Sequence, residues 1–179
     1  MVKVRNGVYE TNSSSSHSIV VTKSAKSRNF HFHVGYATYD NGILRLSEDN
    51  HFGWGWEVLS TWLDRFAYAV AEVQYEEAML EELLSGMKER LGCSAIIVPR
   101  RTLWGDDSKT EPDYGYIDHQ SAGLLRMFLA DQQIEMLDFI FDDRYIIILD
   151  NDNNDGEQHR DYIQKLDVEA VFSESCWWR

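Results

Sequence analysis

The run Glu10-Thr11-Asn12-Ser13-Ser14-Ser15-Ser16-His17-Ser18 holds the densest set of groups in the chain that could do chemistry. Hydroxyls and backbone amides in a tight turn can cradle a phosphate or other oxyanion, and flanking cations strengthen such a cradle. Arg5, Lys23 and Lys26 bracket the run, so Ser13, Ser14, Ser15 and Ser16 with Arg5 and Lys23 form an expected anion-binding set. His17 beside serines also has the composition of a base and nucleophile pair. A polar hairpin loop whose Asn and Ser side chains bond their own backbone explains the same residues. That plainer reading carries more weight, because adjacency in sequence says little about the hydrogen-bond geometry that catalysis requires.

Two further segments have comparable chemistry. Asp118-His119-Gln120-Ser121 opens a helical pattern, where an aspartate beside a histidine can orient a general base or supply metal ligands. Helix capping by Asp118 or Ser121 accounts for everything in it except His119. Asp150-Asn151-Asp152-Asn153-Asn154-Asp155-Gly156 follows an apolar run and places oxygen donors at alternate positions. Asp150 and Asp152 could thus hold a divalent metal such as calcium or magnesium. The calcium-loop pattern wants a glutamate at its twelfth position, and Asp161 stands there instead, so an Asn/Asp-rich turn is the simpler account. His31 and His33, two apart on an expected strand, share a face and form a weaker metal-binding pair. Trp54, Trp56, Trp177 and Trp178 could form a recognition surface, although the first two fit a core equally well.

The elements that must position these groups follow from hydrophobic periodicity. Val2–Tyr9, Ser18–Thr22 and Asn29–Val34 read as strands, and Tyr36–Tyr39 and Ile43–Leu46 flank Asp40-Asn41-Gly42, a strong hairpin signal. An antiparallel meander is the simplest assembly of this half. His51 to Trp56 reads as an aromatic and glycine loop. From Glu57 to about Val73, apolar residues recur at helical spacing. A second, amphipathic helix carries Met79, Leu80, Leu83, Leu84, Met87 and Leu91 on one arc, turns Glu77, Glu81, Glu82 and Glu89 away, and stops at Gly92. Ser94–Val98 reads as a strand, Arg100–Tyr116 as a polar loop, and Ser121 to about Ile140 as one long central helix. Arg144–Leu149 is a buried strand, Asp150–Gln158 an acidic loop, and Val168–Phe172 a last strand. The order predicts an α+β fold, a mainly antiparallel sheet with two to four helices on one face, in a single domain that is strand-rich over 1–50, helical over 57–92 and mixed over 94–172.

Composition bounds what such a fold can do. At 179 residues, 44% hydrophobic and with two prolines, the chain has enough apolar material for one core. Two cysteines, Cys93 and Cys176, make neither a disulfide framework nor a metal knuckle, and no stretch has the length of a membrane span. Met1 to Thr11 lacks the apolar run of a signal peptide, so the expectation is a cytoplasmic protein. Up to Gly35, Lys3, Arg5, Lys23, Lys26 and Arg28 face only Glu10, an excess of +4 that leaves −17 on the rest of a chain whose total is −13. Such a body repels polyanions, which argues against direct binding to nucleic acid or an anionic membrane and suits a protein that competes for a basic surface.

The stretch Arg5-Asn6-Gly7-Val8-Tyr9-Glu10-Thr11-Asn12-Ser13-Ser14-Ser15-Ser16-His17-Ser18 resembles the N-terminal segment of a set of uncharacterised proteins encoded by bacteriophages and prophages. A vaguer likeness covers Asp118-His119-Gln120-Ser121 and the strand leading into Asp150-Asn151-Asp152. The resemblance brings no activity or catalytic residue with it; it implies a context, a small protein acting in the cytoplasm of a bacterial host. Many acidic phage proteins of this size bind and block a host enzyme or defence complex, anti-CRISPR inhibitors among them.

Two functions therefore compete. One is an acidic binding protein that inhibits a host nucleic-acid-binding or defence protein by covering a basic surface, with Glu77, Glu81, Glu82 and Glu89 as its interaction face. The other is an enzyme acting on a phosphate-containing substrate, with His17, Asp118 and His119 as catalytic groups and Asp150 and Asp152 holding a metal if one is used. The second requires three distant segments to converge in one pocket.

Overall fold

Ile19, Val20 and Val21 place apolar side chains on both faces of a strand, which demands cover above and below and a partner on each edge. The computed structural model describes residues 15–24, 35–48, 50–53, 55–103, 106–112, 115–117, 122–151 and 157–173. In it, β1 (Ser15–Thr22) lies between β10 (Tyr145–Asn151) and β11 (Val168–Ser173), and β10 is flanked in turn by β5 (Glu57–Leu59). All three pairings are antiparallel, with Ile19 opposite Ile147 and Phe172. The expected meander of the first half is corrected here: β1 takes its partners from the far end of the chain. Among the described residues of that half, the hairpin of β2 (Ala37–Asp40) and β3 (Ile43–Leu46) forms as read, around the left-handed pair Asn41 and Gly42, and β6 (Ala95–Ile97) joins it in parallel. The expected strands Val2–Tyr9 and Asn29–Val34 lie outside the described residues.

The fold is α+β, with mostly antiparallel sheets and helices packed against them. The predicted helix from Glu57 starts later. Glu57–Leu59 is strand β5, and α1 runs Trp62–Val73 behind a capping box in which Thr61 Oγ1 accepts from the Asp64 amide and Asp64 Oδ2 accepts from the Thr61 amide. The second helix, α2 (Glu77–Leu91), ends as expected at Gly92 in the left-handed region. The single long helix expected from Ser121 to Ile140 is two, α3 (Leu124–Gln132) and α4 (Met136–Phe141). The break is a left-handed Gln133, φ 54°, after which the Ile134 amide returns to the Leu129 carbonyl at 3.0 Å, closing the helix end with no glycine to signal it.

Two expected loops also carry structure. Arg100–Tyr116 contains the hairpin of β7 (Arg100–Leu103) and β8 (Asp106–Pro112) and the start of β9 (Gly115–Ile117). The aromatic loop contributes β4 (Asn50–Phe52), paired in parallel with β9. Asp150 and Asn151 of the expected acidic loop belong to β10, and a fifth helix α5 (Glu157–Gln164) starts at the end of that loop and runs through residues to which no element was assigned.

Alternation along β1, β5 and β10 splits the sheet into two faces. Ile19, Leu59, Ile147 and Leu149 join the larger core with α1, α3 and α4. Val20, Val58, Ile146 and Ile148 form a smaller core under Trp56 and the α5 residues Tyr162 and Ile163. Helices thus cover the second face as well as the one that the sequence reading assigned them.

Candidate functional site

His17 lies on β1 opposite Leu149 of β10, and Leu149 lies opposite Glu57 of β5, so the three side chains form one row across the larger core face. His17 is 1% exposed, and its Nδ1 shares a 2.8 Å hydrogen bond with the Tyr68 hydroxyl of α1. Its Nε2 is buried without a partner. Burial pushes the imidazole down to about 3, so the ring is neutral at physiological pH. Farther along the row, the Tyr36 hydroxyl donates to Glu57 Oε2 at 2.5 Å, and Phe52 bridges Tyr36 and Tyr68 with ring centroids 4.6 and 5.3 Å away. Burial raises the carboxyl of Glu57, against the pull of that hydrogen bond. A polar row roofed by aromatic rings can set the register of strand and helix, but His17 meets no solvent through which it could exchange a proton with a substrate.

Asp150 faces the other way. It lies opposite Ser16, one position along from His17, and alternation sends it to the smaller core face beneath α5. His159 of α5 is buried there at 6% exposure, with Trp56 at 5.9 Å between ring centroids and its Nε2 without a partner. Burial lowers its basicity, and the Asp150 charge opposes that shift. His17 and Asp150 are therefore neighbours in the ladder and strangers in space, divided by the sheet. His159 is the residue that the sequence reading missed. Its signal was the stripe His159, Tyr162, Ile163 and Leu166 at helical spacing, in the stretch between the expected acidic loop and the last strand that was given no element.

The expected anion cradle changes too. Ser15 and Ser16 are strand residues aligned with Asn151 and Asp150, not part of a turn. Lys23 stands at the other end of β1, seven residues or about 23 Å from Ser16 at strand rise. There it pairs with Asp167 at 2.8 Å, so it does not flank the serines. Arg5, Ser13, Ser14, Asp118, His119 and Asp152 lie outside the described residues, as do His31, His33, Trp54, Trp177 and Trp178. Among the described residues no three His, Cys, Asp or Glu side chains gather to hold a metal, and no helix is long and apolar enough to cross a membrane.

The remaining candidates are on the surface. Glu77, Glu81, Glu82 and Glu89 are all exposed on α2, as the amphipathic pattern required. Exposed Glu76, Asp131, Glu135 and Asp138 extend the charge over α3 and α4. Of the cations nearby, Arg126 is held by Glu72 at 3.2 Å and by Glu76, and Arg90 stacks over the Phe141 ring at 5.2 Å.

No family model, curated protein or solved structure matches this chain.

The weight therefore rests on electrostatics and exposure. His17 and His159 are sealed into the two cores, whereas Glu77, Glu81, Glu82 and Glu89 stand in solvent. His17 therefore offers no exposed proton-transfer group, and the exposed glutamates of α2 present a negative field.

Proposed function

We propose that the chain is a non-enzymatic binding protein whose acidic helical face covers a basic, nucleic-acid-binding surface on another protein and so blocks it. The observation that carries this reading is the exposure of Glu77, Glu81, Glu82 and Glu89 along one helix, with Glu135 and Asp138 beside them. Fields of this sign steer a cationic partner into contact and repel nucleic acid, so the protein competes with polyanions and does not bind them. The resemblance of the N-terminal segment to phage and prophage proteins adds the context of a bacterial host, where the target is a nucleic-acid-binding or defence protein, as for anti-CRISPR inhibitors. The burial of His17, and its separation from Asp150 by the sheet, weigh against the phosphate-ester enzyme.

A tagged pull-down from nuclease-treated bacterial lysate, at low and high salt, tests the proposal. The expected result is a stoichiometric nucleic-acid-binding partner that is lost at high salt. Reversing Glu77, Glu81, Glu82 and Glu89 to lysine should abolish its capture. Capture that ignores both salt and charge reversal would sink the reading.

A further inference from the structure

Between α2 and the α3–α4 pair the surface opens into a groove of about 760 Å³. Its apolar lining comes from Met79, Leu83, Leu129, Ile134, Met136 and Leu137. A second concavity of about 450 Å³ shares Arg90, Ile134, Glu135 and Asp138 with it, so the two form one trough that continues along α4 toward Asp142. At its floor α2 and α4 come close, because Gly86 has no side chain: a Cβ there would lie 2.7 Å from Leu137 Cδ1. Half-buried methionines are unbranched and polarisable, and adapt to varied apolar surfaces better than a set rotamer pattern does. The volume lies in the range that encloses a few large side chains.

The rim decides what chemistry fits. Glu82, Glu135 and Asp138 line the trough, and no ion pair engages them among the described residues. Of the cations on the rim, Arg126 is paired with Glu72 and Glu76 and Arg144 with Asp142 at 2.6 Å, while Arg90 lies over the Phe141 ring and keeps its charge, so the three acids outweigh it. An elongated apolar floor between unneutralised acids complements an amphipathic helix with large apolar residues on one side and Lys or Arg beside them. An anionic small molecule would meet three carboxylates against the one guanidinium of Arg90.

We infer that this trough seats the apolar face of a basic amphipathic segment of the partner protein, the acidic rim taking its cations. The inference rests on the acidic-face reading and deepens it, because it adds an anchor that provides specificity where charge alone gives mainly attraction.

The test uses the full chain and three labelled synthetic peptides of about 18 residues, or about five helical turns. One has leucine on one helical face and lysine elsewhere; in the second, glutamate replaces the lysines; in the third, serine replaces the leucines. Fluorescence polarisation should show the Leu/Lys peptide binding roughly tenfold tighter than the Lys/Ser peptide, and no binding of the Leu/Glu peptide. Ser85, exposed at the lip of the trough, is the blocking position. Ser85→Trp, and the likewise uncharged Ser85→Phe as an independent block, should weaken the Leu/Lys peptide by roughly tenfold and leave the Lys/Ser peptide unchanged. Unaltered Leu/Lys binding in both blocked variants, or equal binding of the Leu/Glu peptide, overturns the inference. If, in addition, Leu/Lys binding still falls when Glu77, Glu81 and Glu89 become lysine, the trough is wrong and the acidic face stands. If no lysine peptide binds at low salt, the acidic-face reading fails as well.

Discussion

Replacing Arg65 by methionine should cost the protein about 3 kcal/mol of stability, although the two side chains are of similar length and the position is in the core. Arg65 is 0% exposed in the middle of the first turns of α1. Its Nε donates to the Ile140 carbonyl at 2.9 Å, and Nη1 to the Ser60 carbonyl at 2.7 Å and the Tyr145 carbonyl at 2.9 Å. Nη2 reaches Asp143 at 3.2 Å, a carboxylate 56% exposed, whose share is screened to well below about 1 kcal/mol. The guanidinium thus joins the exit of β5, the end of α4 and the entry of β10. Its partners are mainly backbone carbonyls, which no second mutation can remove. Stranding each costs about 1–3 kcal/mol, and release of the buried cation returns part of the sum, which leaves a net loss of about 3 kcal/mol. For a chain of this size that is a drop in Tm of roughly 6–12 °C. Arg65→Lys keeps the charge but not the planar fork and should cost about 2 kcal/mol, whereas Asp143→Asn should change little. Urea denaturation with an unchanged slope is the assay. Arg65→Met within about 0.5 kcal/mol of the wild type would refute the reasoning, since the carbonyls would then be satisfied without the arginine.

Other perturbations follow from the buried titratable groups. Between pH 6.5 and about 3 the unfolded chain binds a proton at His17 that the native chain refuses, so stability falls as pH falls, by about 1.4 kcal/mol per unit and about 2 kcal/mol from pH 7 to pH 5. Glu57 and Glu72, both raised by burial, act in the opposite direction, so the diagnostic is a urea series on His17→Asn beside the wild type: the variant should lack that part of the acid loss, and parallel curves would disprove it. Arg126→Gln should destabilise by about 1–2 kcal/mol at pH 8, because the Glu72 side chain, 1% exposed, loses the cation that opposes its burial. The deficit should shrink as pH falls and Glu72 protonates, and an equal deficit at pH 8 and pH 5 would show that the charge plays no part.

Much of this was legible in the residues, for local reasons. The Asp40-Asn41-Gly42 hairpin, the Gly92 stop and the outward glutamates of α2 depend on turn chemistry and helical spacing, which neighbouring residues settle. The start of α1 was legible as well, through Thr61 and Asp64, but the apolar pattern running back to Val58 disguised it: a strand and the helix after it can both be apolar. Gln133 gave no signal, since the left-handed residue that splits α3 from α4 is usually glycine. What sequence could not give was pairing. The parity that puts His17 under Tyr68 and Asp150 under α5 follows from β1 lying against β10, about 130 residues away, and shifting that register by one position would exchange the two faces.

Glu77 in the first turn of α2 and Lys88 and Arg90 in its last turn suit the helix dipole, but the side-chain pairing between them opposes helix stability in a way that can be measured. Its glutamates make no favourable pair at helical spacing: Glu77 meets Glu81 four residues on, Glu81 meets Ser85, Glu82 meets Gly86, and the cations Lys88 and Arg90 look back at Leu84 and Gly86. Like charges at this spacing cost about 0.2–0.5 kcal/mol, and a Glu-to-Lys order would gain as much. A helix selected only for solubility and stability would interleave the signs. Glu81→Lys should therefore stabilise the protein by about 0.5 kcal/mol, by removing one repulsion and creating one attraction with Glu77, and at the same time weaken capture of a basic partner and flatten its salt dependence. If Glu81→Lys raises stability and leaves binding intact, the acids of α2 serve neither end and the acidic-face proposal loses its main support. Stability gained with binding lost is the signature of a surface kept for a partner against the interest of its own helix.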